Sequence, residues 1–551
     1  MRNQSGPVLF AKKASIAWLL CGVLWPGAHA LGDGFQDWNS LRLQALAASR
    51  AGSYEQAEEL LRGALAGVPQ PESSTAVVLW NELGSVEHNN WKLPEAEQDL
   101  KRALAINTRL PEPDDGEAAT ALNNLGTIAG EQHQTTKAEE LLREAYRVLD
   151  RRKQTEGQTA ALVRGNLALT LQQEGRYTEA GTLYDLALTS VRQWYGRNSL
   201  ECARLLTNLT MFRIETGQYS AAVDSGRQAV EIEHSLPFVS QSDRALAMNN
   251  LGFALSGAGQ LEESQTALRE AIRLEENLPN RKEQLIASLN NLASLEEKQG
   301  ILESARTDAS RALELIERQA GHSNEVMRVA LWNTLGRLAM DEHRFQEAQE
   351  FLAKAQDLGT TGGEAGKLRY AATLSNLAAL ESAQKHYKKA ESLYREALQI
   401  HESRLAPSNP NVASDLSNIA TQLFYEKHRK EALEFYRRAR LMMEKSFGPE
   451  SLEVGRNWRN VAIAYYTDKQ FKEAAAAYAK ALEALSGSAG PPNRQLVGWL
   501  REYALALRKD HQYAEAEAAE TRALGIEVRN TLAAQKREEP DTASKSINGK
   551  T

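Results

Sequence analysis

Leu122-Asn123-Asn124-Leu125-Gly126 is the stretch that decides the fold, because it returns. The same figure stands at Met248-Asn249-Asn250-Leu251-Gly252 and at Leu289-Asn290-Asn291-Leu292-Ala293. Its second Leu position falls at residues 83, 125, 167, 209, 251, 292, 335, 377, 419, 461 and 503, a spacing of about 42. A fixed period of roughly 20 to 50 residues marks a solenoid of stacked units, none of which buries its apolar face alone. Length by itself suggests about three or four domains. The repeat replaces that expectation with a single stack growing in one dimension.

Working outward, one unit reads as two antiparallel helices. Between Tyr370 and Asn411, Leu374, Leu377 and Leu380 recur at helical spacing. A polar turn follows at Lys385-His386, and Tyr387, Ala390, Leu393, Tyr394, Ala397 and Leu398 then form a second apolar stripe. Two columns of small residues mark the closest approach. One is Ala at 57, 96, 138, 180, 222, 305, 348, 390, 432, 474 and 516, with Ser264 in phase. The other, from Ala64 to Ala523, is alanine in every unit. Helix axes near the lower packing limit of about 8 Å leave no room there for larger side chains.

The first 30 residues differ from the rest. Arg2, Lys12 and Lys13 stand without an acid before the apolar run Ala14–Trp25, and Ala28-His29-Ala30 ends the segment. That order is a secretory signal peptide, with cleavage expected after Ala30 and a periplasmic or secreted destination. The run is shorter than the ~20 residues a membrane-spanning helix needs, so no membrane span is expected after cleavage. The mature chain would carry 62 Lys and Arg against 72 Asp and Glu, a balance that argues against a nucleic-acid partner. Only Cys202 would survive cleavage, so stability must come from helix packing rather than internal disulfides.

These residues resemble the tetratricopeptide repeats. The small residues Gly84, Gly126, Ala168, Gly252, Ala293 and Gly336, the turn glycines Gly175, Gly217, Gly259 and Gly300, and the aromatics Tyr177, Tyr219, Phe345, Tyr387, Phe471 and Tyr513 match that pattern, as do the alanine columns. The usual unit of that family is about 34 residues. The longer period here, with loops such as 405–413 and 447–454, looks like the kinesin light chain type. The resemblance implies an all-α, right-handed superhelical solenoid of about twelve helix pairs over residues 36–532. A polar tail, 533–551, is expected to be disordered. Arg164 at a normally apolar position and Thr210 at the small-residue position depart from the pattern.

Chemistry concentrates in the column before the last Leu of the figure: Glu82, Asn124, Asn166, Asn208, Asn250, Asn291, Thr334, Asn376, Asn418, Asn460 and Glu502. Asn is a mediocre helix former, so its recurrence needs a cause. The resemblance implies that these amides face a concave groove and clamp the backbone of an extended peptide, and an amide has the donor and acceptor that one peptide unit needs. The alternative is that each Asn bonds to the neighbouring helix and sets repeat geometry. On the same face Leu162, Leu169, Met211, Leu246 and Phe253 suggest an apolar middle, and Arg456, Arg459, Arg501, Arg508 and Lys509 a basic end. A ligand with an apolar anchor and an acidic end would suit that gradient. Equally, the apolar residues could pack between helices while the cations stay solvated.

Enzyme signatures fail on inspection. Gly359 to Leu368 is like a phosphate loop, but Thr361 replaces its first Gly and Leu368 its metal-binding hydroxyl. His133, His343, His386, His428 and His511 recur once per layer, which is poor metal geometry. No cofactor, metal, catalytic residue or small-molecule substrate is therefore expected. The reading is an exported, non-enzymatic scaffold binding a peptide or protein segment in its groove. Its alternatives are a self-associating structural protein and a cytoplasmic regulator, should the leader not function.

Overall fold

The computed structural model describes residues 36–538, apart from 133, 152–155, 175, 279–281, 319–324, 360–362, 406–408 and 487–493. The expected signal peptide lies outside the described residues. Among them stand 24 helices and no strand. In chain order they are α1 Gln36–Arg50, α2 Tyr54–Ala66, α3 Ser74–Asn89, α4 Leu93–Arg109, α5 Asp115–Glu131, α6 Thr135–Arg151, α7 Gln158–Gln173 and α8 Tyr177–Trp194. Then come α9 Leu200–Glu215, α10 Tyr219–Ser235, α11 Gln241–Gly257, α12 Leu261–Glu275, α13 Lys282–Gln299, α14 Leu302–Glu317, α15 Glu325–Asp341 and α16 Phe345–Gly359. The last are α17 Gly363–Ala383, α18 Tyr387–Arg404, α19 Pro410–Tyr425, α20 Arg429–Phe447, α21 Leu452–Thr467, α22 Phe471–Ser486, α23 Arg494–Lys509 and α24 Tyr513–Glu538. Odd-numbered helices are the first (A) and even-numbered the second (B) of twelve pairs, so the stack is the all-α repeat solenoid that the period implied. The final helix continues to Glu538, several residues into the stretch expected to be disordered; the rest of that tail lies outside the described residues.

Local chemistry sets each boundary. A helices start on short polar side chains that accept a backbone N–H: Ser73 from Ala76 (3.3 Å), Asp114 from Gly116 (2.8 Å), Ser199 from Cys202 (3.1 Å) and Ser240 from Asp243 (3.0 Å). The turn from A to B passes through one left-handed residue. It is Gly52, Gly217, Gly259 or Gly300 in some units and Trp91, His343, Lys385, Lys427, Lys469 or His511 in others, with φ from 59° to 79°. The next amide then reaches back to close the helix, as from Lys92 N–H to Glu87 O at 2.9 Å. The recurring histidines at 343 and 511 are thus turn residues.

Both small-residue columns are buried. A Cβ added to Gly84, Gly126, Gly252 or Gly336 would sit 2.6 to 2.8 Å from Leu100, Leu142, Leu268 or Leu352 on the partner helix. Thr210, the departure at this position, is accommodated by a swap, because Gly226 replaces the leucine opposite it. Its hydroxyl bonds Leu206 O (2.8 Å) and Ser225 Oγ (3.1 Å). Arg164 is buried but donates to Ser190 Oγ at 2.8 Å and lies over the Tyr146 ring.

Successive A helices pack on one another as well as on their B partners, and B helices make no comparable approach, so the A helices line the inner side of the curve. The coil closes on itself after five units. Asn409, the N-cap of α19, accepts Asn411 N–H (2.9 Å) and donates Nδ2 to Glu215 O at the end of α9 (2.6 Å), and α10 touches α20.

Candidate functional site

The Asn column forms a ladder within the stack. In the commonest rung a residue of one A helix bonds the Asn of the next unit. Asn166 Nδ2 donates to Asn123 Oδ1 (2.9 Å), Asn291 Nδ2 to Asn249 Oδ1 (3.0 Å) and Asn376 Nδ2 to Asn333 Oδ1 (2.9 Å). Asn124 Nδ2 reaches Ser85 Oγ (2.8 Å) and Asn250 Nδ2 reaches Thr207 O (3.4 Å). Asn124, Asn166, Asn208, Asn250, Asn291, Asn376 and Asn418 are all buried, while Asn460 is half-buried. Asn124, Asn166, Asn250, Asn291 and Asn376 thus spend their amide donors on the preceding unit, as the alternative reading of the column expects.

The same rung explains the acidic exceptions. Glu82 takes Arg42 Nε at 2.8 Å, and Glu502 takes Arg459 Nε at 2.7 Å. Amide rungs in the middle are replaced by ion-pair rungs toward both ends. This pairing could have been found in the sequence: Arg42 and Arg459 each stand in the column one residue before the Asn column, one unit ahead of an acid.

The apolar residues assigned to the groove are also placed differently. Leu162, Leu169, Met211, Leu246 and Phe253 are buried among neighbouring helices, where apolar side chains gain most. The basic end is largely neutralised: besides Arg459, Arg501 pairs with Glu527 (2.8 Å) and Arg508 with Glu520 (2.6 Å). Lys509 is exposed and Arg456 half-buried.

Lys298, at the end of α13, is what sequence reasoning missed on the inner side. Its side chain is exposed, and its charge feels Glu453 and Arg456 of α21 from across the coil. Nζ donates to Ser256 Oγ at 3.0 Å, while the neighbouring Glu297 is engaged by Arg337 Nε (3.0 Å) and Nη2 (2.7 Å). Desolvation by the surrounding protein, with Arg456 and Arg337 nearby, pushes the Lys298 ammonium down to about 8 against the opposing pull of Glu453 and Glu297. Nothing in the sequence pattern signals this, since α21 lies four units away.

No three His, Cys, Asp or Glu side chains gather as metal ligands among the described residues, and no helix there is long and apolar enough to cross a membrane. The His401–Asp415 pair (2.6 Å), with Ser375 Oγ on the other carboxylate oxygen (3.0 Å), is a buried three-residue network. Asp415 stands between the other two, so histidine is not positioned to activate the hydroxyl. The segment 359–368 spans the end of α16 and the start of α17, with 360–362 outside the described residues.

Tetratricopeptide repeat patterns match residues 74–151, 159–232, 327–403 and 412–487, with a further repeat at 244–278. The chain belongs to the tetratricopeptide repeat family. Proteins of curated function include no match. Solved structures similar to this tetratricopeptide array include BtubC (BKLC) from P. vanneervenii, at 22% identity over 42% of this chain and 92% of that one, TM-score 0.37. A putative kinesin light chain of nearly identical TPR-like repeats from Podosopora anserina matches at 18% identity over 37% and 96%, TM-score 0.33. The apo quorum sensor NprR from B. thuringiensis matches at 15% identity over 67% and 99%, TM-score 0.49. The tetratricopeptide family supports an interaction scaffold as the general role of the array.

Proposed function

We propose that this tetratricopeptide array is an exported, non-catalytic scaffold whose inner face holds an extended segment of a partner protein. The observation that carries the reading is Lys298. It is an exposed cation on the inner side, hydrogen-bonded to the neutral Ser256 hydroxyl, with Glu453 and Arg456 of α21 within electrostatic reach from across the coil. An acidic side chain or a free carboxylate of the partner would supply the charge complement. The buried amides beneath act indirectly, by holding successive A helices in register. Export rests on residues 1–30, and N-terminal sequencing of the mature protein, expected to begin at Leu31, tests it separately.

The binding test is a pull-down from the native source with wild-type protein beside the folded variant Lys298→Glu/Arg456→Glu. A partner held by the wild type and lost by the variant supports the inner face. Equal retention by both removes it.

A further inference from the structure

We propose that copies of this chain stack head to tail, with α1 of one copy seated against α23 and α24 of the next so that the solenoid continues across the joint. The inference stands apart from the partner-binding reading and rests on what the two ends leave uncovered.

At an interior junction two A-helix columns come together. Asn124 of one unit meets Ser85 of the preceding unit, at 2.8 Å. At the first unit the Asn124 column is occupied by Leu43, 39 residues before Glu82, and at the last unit the Ser85 column is occupied by Leu505. Leu43 is 57% exposed and Leu505 49%. Apolar residues at the Leu505 position within the stack are less exposed: Leu169 is 2% exposed, Met211 4% and Phe253 6%, and Ile463 is half-buried. A B-helix column behaves in the same way. Leu398 and Leu482 are 8% and 5% exposed and Leu104, Leu188 and Leu313 half-buried beneath the following unit, while their counterpart Leu524 on α24 is 60% exposed.

Terminal units of a solenoid ordinarily turn a polar face outward. Here both ends keep leucines at positions that a neighbouring unit buries elsewhere. They are also complementary in register, because Leu43 and Leu505 occupy the two columns that touch at an interior junction. Charge does not oppose the joint. The exposed side of α1 presents Ser40, Leu43, Gln44 and Ala47, all uncharged, and the acids Glu520 and Glu527 of α24 are paired with Arg508 and Arg501 of their own unit. Two leucines meeting across such a joint gain from burial, as interior ones do. A head-to-tail joint is heterologous, so it grows into an open chain of molecules unless the rotation closes a ring.

Sedimentation equilibrium of the full-length chain over a range of concentrations tests this. The expected result is a weight-average mass that rises above that of one chain with concentration. Leu43→Glu and Leu505→Glu, each checked for unchanged helicity, should each weaken association by more than about tenfold, because the joint would have to bury a carboxylate. Leu524→Glu carries the same test at the second helix should either variant fold poorly. An equimolar mixture of Leu43→Glu and Leu505→Glu has one intact end on each protein, so it should form a two-chain species and nothing larger. A mass that stays at one chain for the wild type, or growth that survives both substitutions, would overturn the proposal.

Discussion

Replacing Asn376 by alanine isolates one rung of the ladder. The amide donates to Asn333 Oδ1 at 2.9 Å, and both side chains are buried between α15 and α17. Asn333 keeps its other bond, from Nδ2 to Thr373 Oγ1 at 2.9 Å, so it stays in place with its carbonyl oxygen facing protein and no donor. A net hydrogen bond is worth about 1 kcal/mol, and a buried acceptor left unsatisfied costs roughly 1–3 kcal/mol. Asn376 Oδ1 is itself buried without a partner, so its removal offsets part of this, and the expected loss is about 1–3 kcal/mol. In a repeat stack that loss belongs to one interface, between the eighth and ninth units. Urea unfolding followed by circular dichroism reads the total, and native-state hydrogen exchange of α15 and α17 locates it. Asn333→Ala/Asn376→Ala should cost less than the two single changes together, because no orphaned acceptor remains, with a coupling of about 1 kcal/mol. A single-variant loss below about 0.5 kcal/mol with strictly additive effects would refute the structural role of the column.

Three further outcomes follow from the same geometry. Gly252→Ala places a Cβ 2.7 Å from Leu268 Cγ and should cost about 1–3 kcal/mol by thermal or urea unfolding, with Leu268→Ala restoring part of it. Lys385→Gly and Lys427→Gly relieve left-handed backbone at φ 67° and 69°, and each should raise stability by up to about 1 kcal/mol in urea melts, with additive effects. Burial pushes the Glu275 carboxyl up to about 8. A folded-state value above the unfolded one means that the stabilisation is complete below about pH 4 and is lost as pH rises through about 8. Melting temperature should fall between about pH 4.5 and 8 by way of this group, and Glu275→Gln should flatten that fall; an unchanged pH profile for the variant contradicts the assignment.

The fold was legible because a period is a global constraint that survives any local ambiguity. Each alanine of the two columns is forced by the same helix approach, so twelve units repeat one steric statement. The Asn column was legible as a pattern and ambiguous in role. An amide suited to a peptide unit is equally suited to another amide, and only placement next to Asn123, Asn249 or Asn333 decides between them. Leu162, Met211 and Phe253 were read as groove residues for a related reason. A helix face turned toward the inner side of a coil also abuts the helices before and after it, and helical spacing does not separate those two directions. Lys298 had no signal at all, since its environment depends on how far the stack coils before α21 returns to α13. That curvature is the sum of small rotations at every junction, and no single unit encodes it.

The central claim is that a partner segment is held on the inner side of the coil. Site-specific photo-crosslinking tests it most directly, with a photoreactive amino acid at Lys298 in one protein and at Lys480, on the outer helix α22, in another, each expressed in the native source. The account predicts a crosslinked partner from position 298 and none from position 480. Crosslinks from position 480 alone, or the same partner from both positions, would contradict it.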